Sequence, residues 1–176
     1  MARADAHRNR ERLLAAAHAA MTTEGPDASL EGIARAAGVG IATLYRNWPT
    51  RAHLIREVYA DAVAALVDDP HARLAADPPV AALRGWISDL FDLAPSLGAV
   101  IESDPHRGLV DGFEAALAVL LHAARGELAG IPPRDLLMAL AGIMGILDKP
   151  HDRARADGLA DLLLDGLRYR ANSGDA

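Results

Sequence analysis

Residues Ser29 to Leu54, SLEGIARAAGVGIATLYRNWPTRAHL, decide the fold. Ser29 is suited to cap a helix, Glu31 in the first turn complements the helix dipole, and Leu30, Ile33, Ala34 and Ala37 recur at helical spacing. Gly38 follows where a left-handed C-cap is wanted, and Val39 is placed to tuck back against the helix end. A short third helix is expected over about 40–47. It stops because Trp48 precedes Pro49 and is biased out of the helical region. Thr50 then caps a fourth helix whose apolar face is Leu54, Ile55, Val58, Tyr59, Ala62 and Leu66.

Two helices joined by a tight glycine turn form a helix-turn-helix, whose second helix lies in the DNA major groove. Ile33, Ala37, Val39 and Leu44 are the residues expected to pin the pair, and small Ala34 permits close approach. On the free side of the third helix stand Ile41, Ala42, Thr43, Tyr45, Arg46 and Asn47. Arg bonds guanine O6 and N7, Asn bonds adenine N6 and N7, and Ile, Ala or the Thr methyl packs on a thymine methyl, so these are the candidate base readers. Tyr45, Arg51 and the helix start capped by Ser29 are candidates for phosphate contacts, which set register without reading sequence. The arginines of the first helix, Arg8, Arg10 and Arg12, are assigned the same task.

That first helix is expected from His7 to Met21, with Leu13, Leu14, Ala17, Ala20 and Met21 on one face; Gly25-Pro26 ends it. Charge divides along the chain. Residues 1–59 carry eight Arg against six acids, whereas the remainder carries ten basic residues against eighteen acids. The first third is thereby suited to an anionic partner.

The apolar content is mostly Ala and Leu, which favours helices, and no alternating β-branched run argues for a strand. The fold class is therefore all-α, with about nine helices. Past the break DDPHARLAADPP, helices are expected at about 79–94, 96–103, 107–129, 133–147 and 152–170, punctuated by Pro79, Pro95, Pro105, Pro132-Pro133 and Pro150. The expected organisation is a DNA-binding domain over 1–50, a connecting helix over about 51–67 and a second helical domain over 68–176. There is no cysteine, no leader-like apolar segment and no apolar run long enough to span a membrane, so a cytoplasmic protein without membrane contact is expected.

The stretch from Ala28 to Ile55 resembles the DNA-binding domain of the tetracycline-repressor (TetR) family. The resemblance rests on Ile33-Ala34, Ala37-Gly38-Val39-Gly40, Leu44-Tyr45, Trp48, Arg51 and Leu54, within about residues 10–59. Trp48 stands where Phe is usual, Arg51 where Lys is usual and Met21 where Phe is common. The resemblance implies that the remaining helices form a ligand-sensing and dimerising domain, and that an unidentified small molecule releases the protein, a repressor, from its operator.

Part of this has independent support. Asp135 to Leu147 is apolar on every side, as a helix buried all round must be. A stripe of Leu159, Leu162, Leu163, Gly166 and Leu167 marks the last helix. These two helices are expected to pair with their copies in a two-fold homodimer, setting two reading heads ~34–36 Å apart on a near-palindromic duplex; an ordinary intrachain core is the alternative. Trp86, Phe91, Phe113, Met138 and Met144 suit the walls of an apolar ligand pocket with His122 as a polar contact, and they suit plain core filling as well. No phosphate loop, nucleophile elbow or helical His pair is present, so neither an enzyme nor a metal or cofactor site is expected. The acid–histidine groups Asp104/His106 and Asp148/His151/Asp152 fall at helix boundaries, where caps and turns are the simpler reading. The alternative function is a helix-turn-helix module for DNA or protein contact that senses no ligand.

Overall fold

The computed structural model describes residues 2–103, 108–145 and 152–174. Among them every regular element is a helix: α1 (Ala2–Glu24), α2 (Leu30–Ala36), α3 (Ile41–Asn47), α4 (Arg51–Val58), α5 (Ala60–Val67), α6 (Pro70–Ala76), α7 (Pro79–Ser103), α8 (Gly108–Ala123), α9 (Pro133–Met144) and α10 (Asp152–Asn172). The all-α expectation holds, with ten helices where about nine were expected. The groups around Asp104/His106 and Asp148/His151 lie outside the described residues, as do Pro105, Pro150 and the ends of the expected helices at 107, 146 and 147.

Several boundaries differ from the expected ones: α1 is longer at both ends than His7–Met21, and the helix expected over 107–129 ends at Ala123, where the chain turns over 124–127. The helix expected to run unbroken through Tyr59 is divided there into α4 and α5. Nothing in the periodicity signals this, because the feature at that position is tertiary: the Ser96 hydroxyl donates to the Tyr59 hydroxyl. Pro95 does not end a helix but sits inside α7. Its ring costs one backbone hydrogen bond, while its fixed φ remains helical and the side chain is exposed. The segment read as a break contains α6, opened by Asp69, whose carboxylate accepts from the Ala72 amide at 3.2 Å, with Pro70 in the first turn. That Asp-Pro pair is a helix-start signal the reading overlooked.

The described chain divides into two compact units, one comprising residues up to Asp61 with the end of α7 from Ser96, the other Ala62–Pro95 and everything described from Gly108 onward. In the first, α1 packs on α2, α3 and α4. Its core is Leu13, Ala17 and Met21 from α1, Leu30, Ile33 and Ala34 from α2, Leu44 from α3, and Leu54, Ile55 and Val58 from α4. Each large aliphatic buried here contributes about 1.5–3 kcal/mol relative to exposure. That burial is what holds helices too short to persist alone.

In the second unit α8 packs on α6 and α9, and α9 on α10. Trp86 and Phe113 meet edge to face at 6.1 Å in its core, and the Trp86 indole donates to the Leu66 carbonyl at 2.8 Å. Gly112 is required by close approach, since a Cβ there would stand 2.9 Å from a Val67 methyl. Arg153 of α10 donates to the Ser88 carbonyl and hydroxyl and lies over the Phe91 ring. No helix among the described residues is long and apolar enough to cross a membrane.

Candidate nucleic-acid interface

The candidate reading helix α3 is fixed by the turn before it. Gly38 has φ +69°, the Gly38 amide donates to the Arg35 carbonyl, and the Val39 amide reaches back to the Ala34 carbonyl, each at 3.0 Å. This pair of bonds closes α2 with a left-handed residue that glycine adopts without the Cβ penalty. Gly40, at φ −76°, then leads into α3. At the other end of α2 the Ser29 hydroxyl accepts from the Gly32 amide at 3.2 Å, as expected of a cap.

Leu44 is the buried side of α3. Away from it Ala42, Tyr45 and Arg46 are exposed, while Thr43 on the flank and Ile41 and Asn47, a turn before and after Leu44, are half-buried. All six candidate base readers therefore lie on one helix of seven residues. Such a helix is roughly 10 Å long and slender enough for a major groove ~12 Å wide. Its hydrogen-bonding groups are engaged with one another: Arg46 Nη2 donates to Thr43 Oγ1 at 2.9 Å, and Asn47 Nδ2 donates to the Thr43 carbonyl at 2.8 Å.

The exit from α3 is anchored by a residue that the sequence marked as a helix end without showing what it packs against. Trp48 is 2% exposed. Its indole N–H donates to Glu57 Oε2 at 2.7 Å, and the Arg10 guanidinium stands 5.1 Å from its ring centroid. Arg10 also pairs with the Glu57 carboxylate at 2.5 Å. Arg10, assigned above to phosphate contact, is thus committed to this cluster, which ties α1 and α4 to the end of α3. The two residues are opposite charges on different helices, and their meeting across 47 residues was not legible in the sequence.

Arg51 is also placed differently from its expected phosphate role. Its Nη1 donates to the carbonyls of Pro26 at 2.8 Å and Ala28 at 2.9 Å, holding the loop that presents Ser29. Two loop carbonyls without amide partners attract a cation more strongly than open solvent holds it, since a charged hydrogen bond is worth about 1.5–3 kcal/mol. Arg8 and Arg12 remain on the exposed surface of α1. Arg8 pairs with Asp5, and Arg12 Nη2 donates to Asn9 at 2.5 Å while its Nη1 lies beside the Gly38 turn.

Among the described residues, no cavity brings the six residues considered for a ligand pocket together. Trp86, Phe91 and Phe113 are fully packed core, Met138 is 66% exposed, and Met144 is half-buried. Core filling is what three large aromatics accomplish in a domain this poor in them. His122 alone lines a groove, about 520 Å³ in volume, together with His71, Val119, Arg125, Ile131 and Pro133.

Residues 13–58 match the family described as bacterial regulatory proteins, tetR family. Among solved structures, the chain is similar to a TetR transcriptional regulator of Streptomyces coelicolor, with 44% identity and a TM-score of 0.70 over 90% of this chain and 98% of that one. A TetR transcription regulatory protein of Mycobacterium vanbaalenii is 30% identical, with a TM-score of 0.63 over 96% and 99%. The TetR-like regulator LfrR of Mycobacterium smegmatis, solved in complex with proflavine, is 25% identical, with a TM-score of 0.53 over 95% and 96%. No curated protein sequence matches the chain.

Proposed function

The chain belongs to the tetR family of bacterial regulatory proteins, and from that premise we propose that it is a sequence-specific DNA-binding transcriptional regulator, a repressor released from its operator by a small molecule. The observation that carries the reading is the make-up of α3: Ile41, Ala42, Thr43, Tyr45, Arg46 and Asn47 stand together on a helix whose buried side is sealed by Leu44. Arg46, Thr43 and Asn47 read base edges, Ile41 and Ala42 pack on thymine methyls, and Ser29, Tyr45, Arg8 and Arg12 meet the sugar-phosphate backbone. Arg51 acts at one remove, by fixing the loop that carries Ser29.

The operator is a near-palindrome read by a homodimer. Support comes from α9 and α10, where Met138, Leu159 and Leu162 are large apolar side chains left exposed on the single chain. On α10 the opposite positions, Ala156, Ala160, Leu164 and Leu167, are buried within the chain itself. The helix is therefore apolar on two faces, and a second copy covers the outer one. The proflavine complex of the similar LfrR supports a small-molecule effector here. Such a molecule releases DNA only by binding more tightly to a conformer whose two heads no longer match the operator spacing.

Selection of binding sites from random duplexes at stated salt tests the reading. Enrichment of a near-palindromic sequence is the expected result. Absence of any enriched sequence at low salt, with the protein free of effector, overturns it.

A further inference from the structure

The groove between α6, α8 and the start of α9 has a chemistry of its own. His71 of α6, His122 of α8 and Arg125 of the following turn line it beside the apolar walls of Val119, Ile131 and Pro133. No acidic residue lines it. Among the described residues, none of the three basic side chains has an ion-pair or hydrogen-bond partner. Five other arginines of this part of the chain, Arg73, Arg84, Arg134, Arg153 and Arg168, are paired with carboxylates. Arg125 shares its unpaired state with Arg155 and Arg170 but alone among these three lines the groove. The groove is also unusual by charge, because residues 60–176 carry eighteen acids against ten basic residues.

From this combination we propose that the groove is a binding site for an amphipathic monoanion, a carboxylate on a short aliphatic or aryl body. The volume of about 520 Å³ falls within the ~300–1,000 Å³ typical of small-molecule sites. The apolar walls take the body of the ligand, and Arg125 with the two imidazoles takes its headgroup, a guanidinium being shaped to hold a carboxylate through two parallel hydrogen bonds. A nucleic acid or other polyanion is a poor fit, since its repeated charges require an extended basic surface, and residues 60–176 carry a net excess of acids. The site rests on the ligand-responsive reading above only for its regulatory use; occupancy itself requires no DNA.

The test is calorimetric titration of the full chain with octanoate and 4-phenylbutyrate, with the corresponding primary amides, and with inorganic phosphate. Arg125→Gln and His122→Gln chains are titrated in parallel; both side chains are exposed, and unchanged thermal unfolding verifies that each variant is folded. The expected result is that the acids bind at least tenfold more tightly than their amides or phosphate, and that each substitution removes at least tenfold of the acids' affinity while leaving the amides unchanged. Acid and amide binding equally, acid affinity unchanged in both variants, phosphate binding as tightly as the acids, or no binding of either acid overturns the proposal. A chain that selects no DNA overturns the regulator reading and leaves these titrations untouched.

Discussion

Arg10 stacks over Trp48 at 5.1 Å from the ring centroid, joining the first turns of the chain to the exit of the reading helix. The Glu57 carboxylate accepts from both residues, so the three side chains form one unit. Arg10→Gln removes the cation from the ring and the ion pair from Glu57, which is still 28% exposed and so keeps some solvent. A loss of about 1 kcal/mol is expected, seen as a lower Tm by thermal denaturation. Trp48→Ala, which empties a buried site, costs about 3–5 kcal/mol and is expected to unfold the head.

The two glycines of the turn are predicted to respond unequally. Gly38 holds a positive φ, and an added Cβ costs roughly 1–2 kcal/mol there. Gly40, at φ −76° and with open space around it, accepts alanine without strain. Gly38→Ala should therefore lower both Tm and DNA affinity, while Gly40→Ala, which loses only the preference of the α3 N-cap for glycine, costs no more than about 1 kcal/mol of stability. Equal effects from the two substitutions would remove the turn geometry as the cause.

Arg51 and Thr43 separate presentation from readout. Arg51→Ala leaves two loop carbonyls unbonded and is expected to cost about 1–3 kcal/mol of stability. Because the guanidinium faces the loop, the slope of log affinity against log salt should be unchanged. Thr43→Ala should leave stability nearly alone and alter the preferred base at one position by about 1–3 kcal/mol. A flattened salt slope in Arg51→Ala would return that residue to phosphate contact.

The outer face of α10 gives a prediction about assembly. Leu162 is 69% exposed on the single chain, so Leu162→Glu should fold normally by circular dichroism. Placed in the proposed two-fold seam, its charge has no partner and loses its water, and the variant is expected to sediment as a monomer at micromolar concentration. A variant that sediments like the parent would locate the dimer seam elsewhere.

Gly112 faces Val67 across the α8–α5 packing of the second unit. Gly112→Ala brings a carbon 2.9 Å from a Val67 methyl, and overpacking of this kind costs about 1–3 kcal/mol. Pairing it with Val67→Ala should recover part of that loss in a double-mutant cycle of Tm values.

The head was legible because its determinants are local. Ser29, Gly38 and Thr50 each act on backbone groups within five residues, so cap, turn and cap are written in sequence order. What escaped the reading is non-local. Arg10 and Arg51 carry charge suited to DNA phosphates, yet one is drawn to a carboxylate 47 residues away and the other to carbonyls 25 and 23 residues away. The division at Tyr59 likewise follows no breaker residue and coincides with a bond to Ser96. In the second unit, large apolar residues at helical spacing are equally suited to a core or to a cavity. Only packing distinguishes them, and it places Trp86, Phe91 and Phe113 in the core.

A regulator spends most of its time on sequences it must leave. With Arg46 Nη2 bonded to Thr43, one of the five guanidinium donors is engaged on α3 itself while the side chain stays exposed. Releasing that donor is repaid only where a guanine offers two acceptors in place of one hydroxyl. In the proposed base-reading role, a site that lacks such a guanine leaves the arginine on Thr43. Discrimination in that role resides in an exchange of partners, which would set how long the protein dwells on each sequence as well as how tightly it holds the right one.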